Sequence, residues 1–297
     1  MLRRIVLLAL VLLPSARAFA ELKWTYGKLE EVKKVEWKSS VQAGLVLNTG
    51  NANNLAFTAA GSGSRNDGKN RLQLDIGGTY ARATLVSATD ANMSGAIDEG
   101  EIDYKSSVTA ALWGVKLRYD RFLTANNSLY VAGFASGNEP AGIRVLGGAQ
   151  IGYSRQLLKT DFQLLVTEIG YDYTFQDNVS GRDLNMHSAR LFAGYTLTLS
   201  KNVGVALGFE ALCNLNSLPG FQPNTTVDPF GATRLNANAA LTARLWKNIS
   251  FQVSFLAKYT TNPAPIPPLS IPFAAGFVPT AERLDTVTSL SLVITLL

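Results

Sequence analysis

One cysteine and one histidine in 297 residues remove whole classes of chemistry. Cys213 has no partner for an internal disulfide, and His187 alone cannot build a His-rich zinc or copper site. Charge is also scarce, at 16% of residues. The 47% of hydrophobic residues nevertheless excludes a disordered chain. Long helical apolar runs are missing too. The run from Ile5 to Leu13 is too short to cross a bilayer, and the long uncharged stretch 262–281 is broken by Pro263, Pro265, Pro267, Pro268, Pro272 and Pro279.

What is present starts with an export signal. Arg3 and Arg4 precede the short apolar run, and Ala18-Phe19-Ala20 places small residues at a cleavage site, so residues 1–20 are expected to be removed. Cleavage after Ala18 and retention as an anchor are the alternatives. Removal takes out Arg3, Arg4 and Arg17 and no acid, which lowers the formal charge from +5 to +2. With that excess gone, nothing points to a nucleic-acid partner. An exported chain without a spanning helix is periplasmic, secreted or a β-barrel of the bacterial outer membrane.

Periodicity decides among these. In residues 249–261, Ile249, Phe251, Val253, Phe255, Ala257 and Tyr259 alternate with Ser250, Gln252, Ser254, Lys258 and Thr260. Residues 233–245, 203–214, 145–155 and 71–82 repeat the pattern over lengths of about ten residues, which suits a membrane-spanning strand of about 9–11 residues better than the short strands of a sandwich. Short polar turns alternate with longer connections, and all eleven prolines fall in the signal or in the longer connections. The expected fold is an all-β, antiparallel, up-and-down transmembrane barrel over residues 37–297, with about twelve strands and periplasmic termini. The strand 101–123 is overlong and changes face near Val108 to Ala111, which suggests a bulge or an extension beyond the membrane, while 128–135 reads as short. Tyr80, Tyr119, Tyr153, Tyr171, Tyr173, Trp246 and Tyr259 fall near strand ends, where interfacial aromatics belong. Residues 21–36 are expected to form a periplasmic leader, either loosely ordered or a short helix against the lumen.

Three segments carry a family resemblance: Leu47-Asn48-Thr49-Gly50-Asn51-Ala52-Asn53, Arg118-Tyr119-Asp120-Arg121-Phe122-Leu123, and Arg144 followed by Gly147-Gly148-Ala149-Gln150-Ile151-Gly152-Tyr153. Together they resemble the bacterial salt-induced outer membrane proteins. The resemblance implies an exported barrel without an assigned biochemical role. Ala52 stands where Thr is common in that family, and Leu297 replaces the usual terminal aromatic, which weakens the assembly signal. Expected partners are outer-membrane lipid and, during biogenesis, the barrel-assembly machinery.

Within the long outer loop expected at 83–101, Asp90, Asn92, Ser94, Ala96, Asp98 and Glu101 take the spacing of an EF-hand Ca2+ loop, with Gly95 at the sharp turn. The acids and the Ser and Asn oxygens would surround one Ca2+, with Ala96 giving its carbonyl. A solvated acidic loop is the alternative. On the inward face, Gln42, Arg71, Gln73, Asp75, Lys116, Arg118, Asp120, Gln150, Glu168, Asp172, Arg190, Glu210, Arg234, Asn236, Asn238, Arg244, Lys258, Arg283 and Asp285 are expected to line the lumen. They either close it as ion pairs or border a narrow passage for small solutes or ions. No catalytic role is expected. There is no Gly-x-Ser-x-Gly elbow, His187 and Ser188 point to opposite faces, and Glu168 and Asp172 are too far apart along a strand to establish a dyad.

Overall fold

Alternating side chains let each strand pair on both edges while presenting one apolar and one polar face. The computed structural model describes residues 34–48, 54–88, 102–221, 224–265 and 282–296. They form β1 (Glu36–Asn48), β2 (Asn54–Asn66), β3 (Asn70–Ala88), β4 (Ile102–Phe122), β5 (Asn127–Asn138), β6 (Ile143–Lys159) and β7 (Gln163–Asn178). Then come β8 (Leu184–Thr198), β9 (Val203–Asn214), the two-residue strands β10 (Leu218–Pro219) and β11 (Thr226–Val227), β12 (Arg234–Arg244), β13 (Ile249–Thr260) and β14 (Leu284–Thr295). All but β10 and β11 join one closed barrel of twelve strands. Each barrel strand pairs antiparallel with the barrel strand that precedes it and the one that follows, and β14 returns to β1 along a short seam from Ser40↔Thr295 to Ala43↔Leu292.

The predicted bulge is present, where Ala81 faces Ala110 but Arg82 faces Val108, so Thr109 is left over. Beyond it the β3–β4 hairpin continues to the pair Ala88↔Ile102, so the connection begins at residue 89 and not at 83. The short fifth strand is corrected. β5 takes in Ser136, Gly137 and Asn138 because β4 offers a continuous partner, ending in the pair Leu112↔Asn138. A 3-10 turn at Glu139–Ala141 is then all that separates β5 from β6, apart from Gly142. The β9–β12 connection also holds an unforeseen two-stranded sheet, β10 with β11.

Polarity runs inside out. Leu117, Ile151 and Ile169 point outward and are 48%, 60% and 59% exposed, whereas Arg118 and Arg190 are 1% exposed and Asp172 0%. Such a surface is stable only against hydrocarbon, where the closed ladder also leaves no unpaired strand edge. The tips of two outward tyrosines are held at the short-turn end: Tyr119 donates to Asn70 Oδ1 at 2.7 Å, and Tyr153 bonds Asn127. In the β2–β3 turn, Asp67 Oδ1 accepts from the Asn70 amide at 2.7 Å and from its side chain at 3.0 Å. The Asn70 side chain, helped by that amide, holds the half-buried Asp67 carboxyl below the usual carboxylate range.

Replacing Leu117 with arginine puts a charge on the lipid face between Trp113 and Tyr119, and is expected to cost ~2–4 kcal/mol near the bilayer midplane. Urea unfolding in lipid vesicles checks this. A loss no larger than that of Leu117→Ala would contradict the lipid-facing assignment.

Candidate functional site

The inward positions of β4 to β9 bring charges together that are far apart in sequence. Arg118 on β4 donates Nη2 to Asp120 Oδ1 at 2.7 Å and Nη2 and Nη1 to the two oxygens of Glu168 on β7, at 2.7 and 3.1 Å. Glu168 is shared, because Arg190 on β8 donates Nη1 to its Oε2 at 2.8 Å. Arg190 also gives Nε to Glu210 Oε1 on β9 at 2.7 Å, and Glu210 Oε2 accepts from Asn236 on β12 at 3.0 Å. One charged chain thus links β4, β7, β8, β9 and β12. Its guanidiniums and the Glu168 carboxylate are almost wholly buried, so these charge-assisted bonds replace water that the groups have lost.

An aromatic ring supports that chain from the wall. Tyr130 on β5 lies under both guanidiniums, with Arg118 Cζ 4.2 Å and Arg190 Cζ 5.5 Å from the ring centroid, and its hydroxyl accepts from Arg190 Nη1 at 2.8 Å. The ring fits because Gly152 and Gly170 face each other beneath it. A Cβ on either glycine would come within 2.6 Å of the Tyr130 hydroxyl.

A second cluster sits toward the outer end. Asp172 accepts from Thr174 Oγ1 at 2.7 Å, Gln150 Nε2 at 2.9 Å and Arg234 Nη2 at 3.1 Å. Lys116 donates to Gln150 Oε1 at 3.3 Å. The opposite wall is different in kind. Its inward contacts include Ser40 with Ser62 at 2.8 Å, Thr58 with Thr79 at 3.2 Å, Ser254 with Ser289, and Gln42 donating to Ser291. Bulky charge fills one side of the lumen, while on the other small hydroxyls stand among fewer charged groups, such as Asp75 on β3 and Lys258 opposite Asp285.

A cavity of about 370 Å³ opens at the outer end, with Lys116, Gln150, Asp172, Glu210, Arg234 and Asn236 on its polar side and Leu112, Leu146, Leu212 and Leu256 among its apolar walls. Beside it the β9–β12 connection folds inward, placing Leu218 and Ala232 against Leu184 and Met186 of β8. Asn214 fastens this cap by accepting from the Ala232 amide at 2.8 Å and donating to the Asn216 carbonyl at 2.8 Å. A pocket of only about 40 Å³ lies at the other rim, bordered by Glu36, Lys38, Ser64, Asn66 and Arg71.

The structure brings together Lys116, Arg118, Asp120, Gln150, Glu168, Asp172, Arg190, Glu210, Arg234 and Asn236 from the sequence-predicted lumen. Lys258 and Asp285, opposite each other on β13 and β14, line the outer cavity with these residues. Others stand apart: Gln73 bonds Asp75 on the β3 wall, and Arg244 lies at the short-turn end. Glu168 and Asp172 hold different partners and form no dyad. His187 faces outward against Tyr171 and Tyr173, while its neighbour Ser188 is fully buried. Tyr130 was missed, although its place between outward Leu129 and Val131 marks it as inward. The Ca2+ ligand set Asp90, Asn92, Ser94, Ala96, Asp98 and Glu101 lies outside the described residues.

Residues 41–295 match the family model described as "Protein of unknown function, DUF481". The chain belongs to this family. No curated protein matches it. Among solved structures, this DUF481 barrel is similar to the NanC porin, at 10% identity and a TM-score of 0.47, covering 88% of this chain and 100% of that one. It is also similar to an anion-selective porin from Comamonas acidovorans, at 8% identity and a TM-score of 0.38, covering 89% and 99%. A third likeness is to a TodX deltaS2S3 mutant described as a monoaromatic hydrocarbon channel, at 9% identity and a TM-score of 0.38, covering 88% of each chain. The barrel of this family member rests on its own strand register.

Replacing Glu168 with glutamine leaves Arg118 and Arg190 buried beside a neutral amide. Breaking a buried pair in this way is expected to cost about 3–5 kcal/mol. Denaturant unfolding of the detergent-folded barrel measures it, and a loss below about 1 kcal/mol, the scale of an exposed pair, would mean that water reaches the site.

Proposed function

We propose that this chain is a bacterial outer-membrane barrel that passes small solutes or ions through a narrow lumen, along the hydroxyl-lined wall of β13, β14, β1 and β2. The observation that carries this reading is the asymmetry of the lumen. The charged chain from Asp120 to Asn236 is anchored to β4 through β12 by its own bonds, whereas Ser40, Ser62 and Gln42 on the other side are small or slender and only half-buried. Twelve strands lie between barrels filled by side chains and open porins. The export signal at 1–20 and the inside-out polarity support the outer-membrane location, with insertion by the barrel-assembly machinery.

A second reading is a non-conducting envelope barrel of the salt-induced type. It is favoured by the depth of burial of Arg118, Glu168 and Arg190, of which Arg118 lies in a segment that carries that resemblance. Neither reading assigns a catalytic role, since the acids of the lumen are engaged in hydrogen bonds.

Ca2+ ordering of the outer loop belongs to the same proposal. Its support is the ligand spacing of Asp90, Asn92, Ser94, Ala96, Asp98 and Glu101, together with the pair Ala88↔Ile102, which brings the two flanks of that segment side by side.

Planar-bilayer recording of the folded barrel is expected to give small, discrete conductance steps, reduced when Ser62→Trp narrows the hydroxyl wall. Conductance no greater than that of an empty membrane favours the non-conducting barrel. Calorimetry of the detergent-folded protein is expected to show Ca2+ binding at about 10⁻⁴–10⁻³ M, the range of extracellular modules, and its loss in Asp90→Ala and Glu101→Ala. Equal heats from all three proteins would remove the Ca2+ assignment.

A further inference from the structure

The outer cavity has a polarity of its own, which follows from how its charged groups spend their hydrogen-bonding capacity. Asp172 accepts three donors and Glu210 two, so the carboxylates at the floor are engaged. Asp285, nearer the rim, stands opposite Lys258 in the strand register. The bases are not spent in the same way. Lys116 has three N–H donors, and its hydrogen bond among the described residues goes to the neutral Gln150 Oε1 at 3.3 Å. Arg234 commits Nη2 to Asp172 and Thr174, and its guanidinium lines the cavity, although its Nε, which meets no acceptor among the described residues, is buried away from the open space. Apolar side chains share the wall with these groups: Phe134 stands opposite Lys116 in the register and Leu212 opposite Arg234, and Leu112, Leu146 and Leu256 line the same cavity. At about 370 Å³ the cavity falls in the ~300–1,000 Å³ range of small-molecule sites.

We infer that this cavity binds a small carboxylate with an aromatic or aliphatic body, its anionic head held by Lys116 and Arg234 and its body against the leucine and phenylalanine wall. The inference deepens the passage reading by naming a solute class. A lone anion would leave the apolar wall unused, and a neutral hydrocarbon would give no acceptor to the Lys116 donors that Gln150 does not take. A cation would face those two charges directly. Only a molecule with both parts satisfies the floor and the wall together.

The test is calorimetry of the detergent-folded full barrel with three probes of one shape: benzoate, benzyl alcohol and benzylamine. Benzoate is expected to bind at least about tenfold more tightly than either of the others, because a charge-assisted bond is worth about a factor of ten or more. Lys116→Gln and Arg234→Gln should each weaken benzoate by about tenfold and leave benzyl alcohol unchanged, and Lys201→Gln in the β8–β9 turn should change neither. The heat-modifiable gel shift establishes that each variant is folded, and the probe series on the unmodified barrel decides the matter if either variant does not fold. Equal binding of benzoate and benzyl alcohol, or preference for benzylamine, overturns the inference. A barrel that conducts without selecting benzoate overturns this inference and keeps the passage reading. A barrel that selects benzoate without conducting does the reverse.

Discussion

The carboxylate of Glu168, shared by two arginines, is the constraint around which the interior is arranged. Burying a charge costs several kcal/mol per ion, and mutual attraction offsets that cost only when geometry is good and the remaining donors and acceptors are used. Here one acid on β7 receives Arg118 from β4 and Arg190 from β8, and each arginine has a second acid of its own. Strands separated in the ladder become fixed relative to one another through the lumen. A hydrocarbon exterior offers only packing without direction, so the directional bonds that distinguish one arrangement from another lie inside.

That interior is sided, and the siding links structure to use. On the filled side, charge and aromatic surface are locked by hydrogen bonds. On the other, serine, threonine and glutamine pair with each other across β13, β14, β1, β2 and β3. The outer cavity sits where charged and leucine side chains share the wall, beside the inward-folded β9–β12 connection.

Much of this was legible in the residue order, and the failures have physical causes. Period two located all twelve barrel strands and the face change at Val108, because one face must meet lipid along its whole length. Ser136, Gly137 and Asn138 carry no alternation and look like a turn, yet an available edge on β4 draws them into β5. β10 and β11 escaped because Pro219 and Gly220 read as loop residues, and their pairing comes from the cap against Leu184. The inward face was readable as a set of residues, but not as a bonded chain. Which arginine meets Glu168 depends on the stagger of β4 against β7, with β5 and β6 between them. Of the segments that carry the family resemblance, one supplies Arg118 and Asp120 to that chain, and another holds Gln150 of the second cluster and Gly152 beneath Tyr130.

Gly152 and Gly170 have a consequence beyond making space for Tyr130. Side chains that project toward the axis of a small barrel consume its bore. By recessing the wall, the paired glycines let the Tyr130 hydroxyl lie almost against the backbone of β6 and β7, with Arg118 and Arg190 stacked over its ring. Two missing side chains on the wall are thus what lets a large aromatic and two guanidiniums share one level of a narrow lumen.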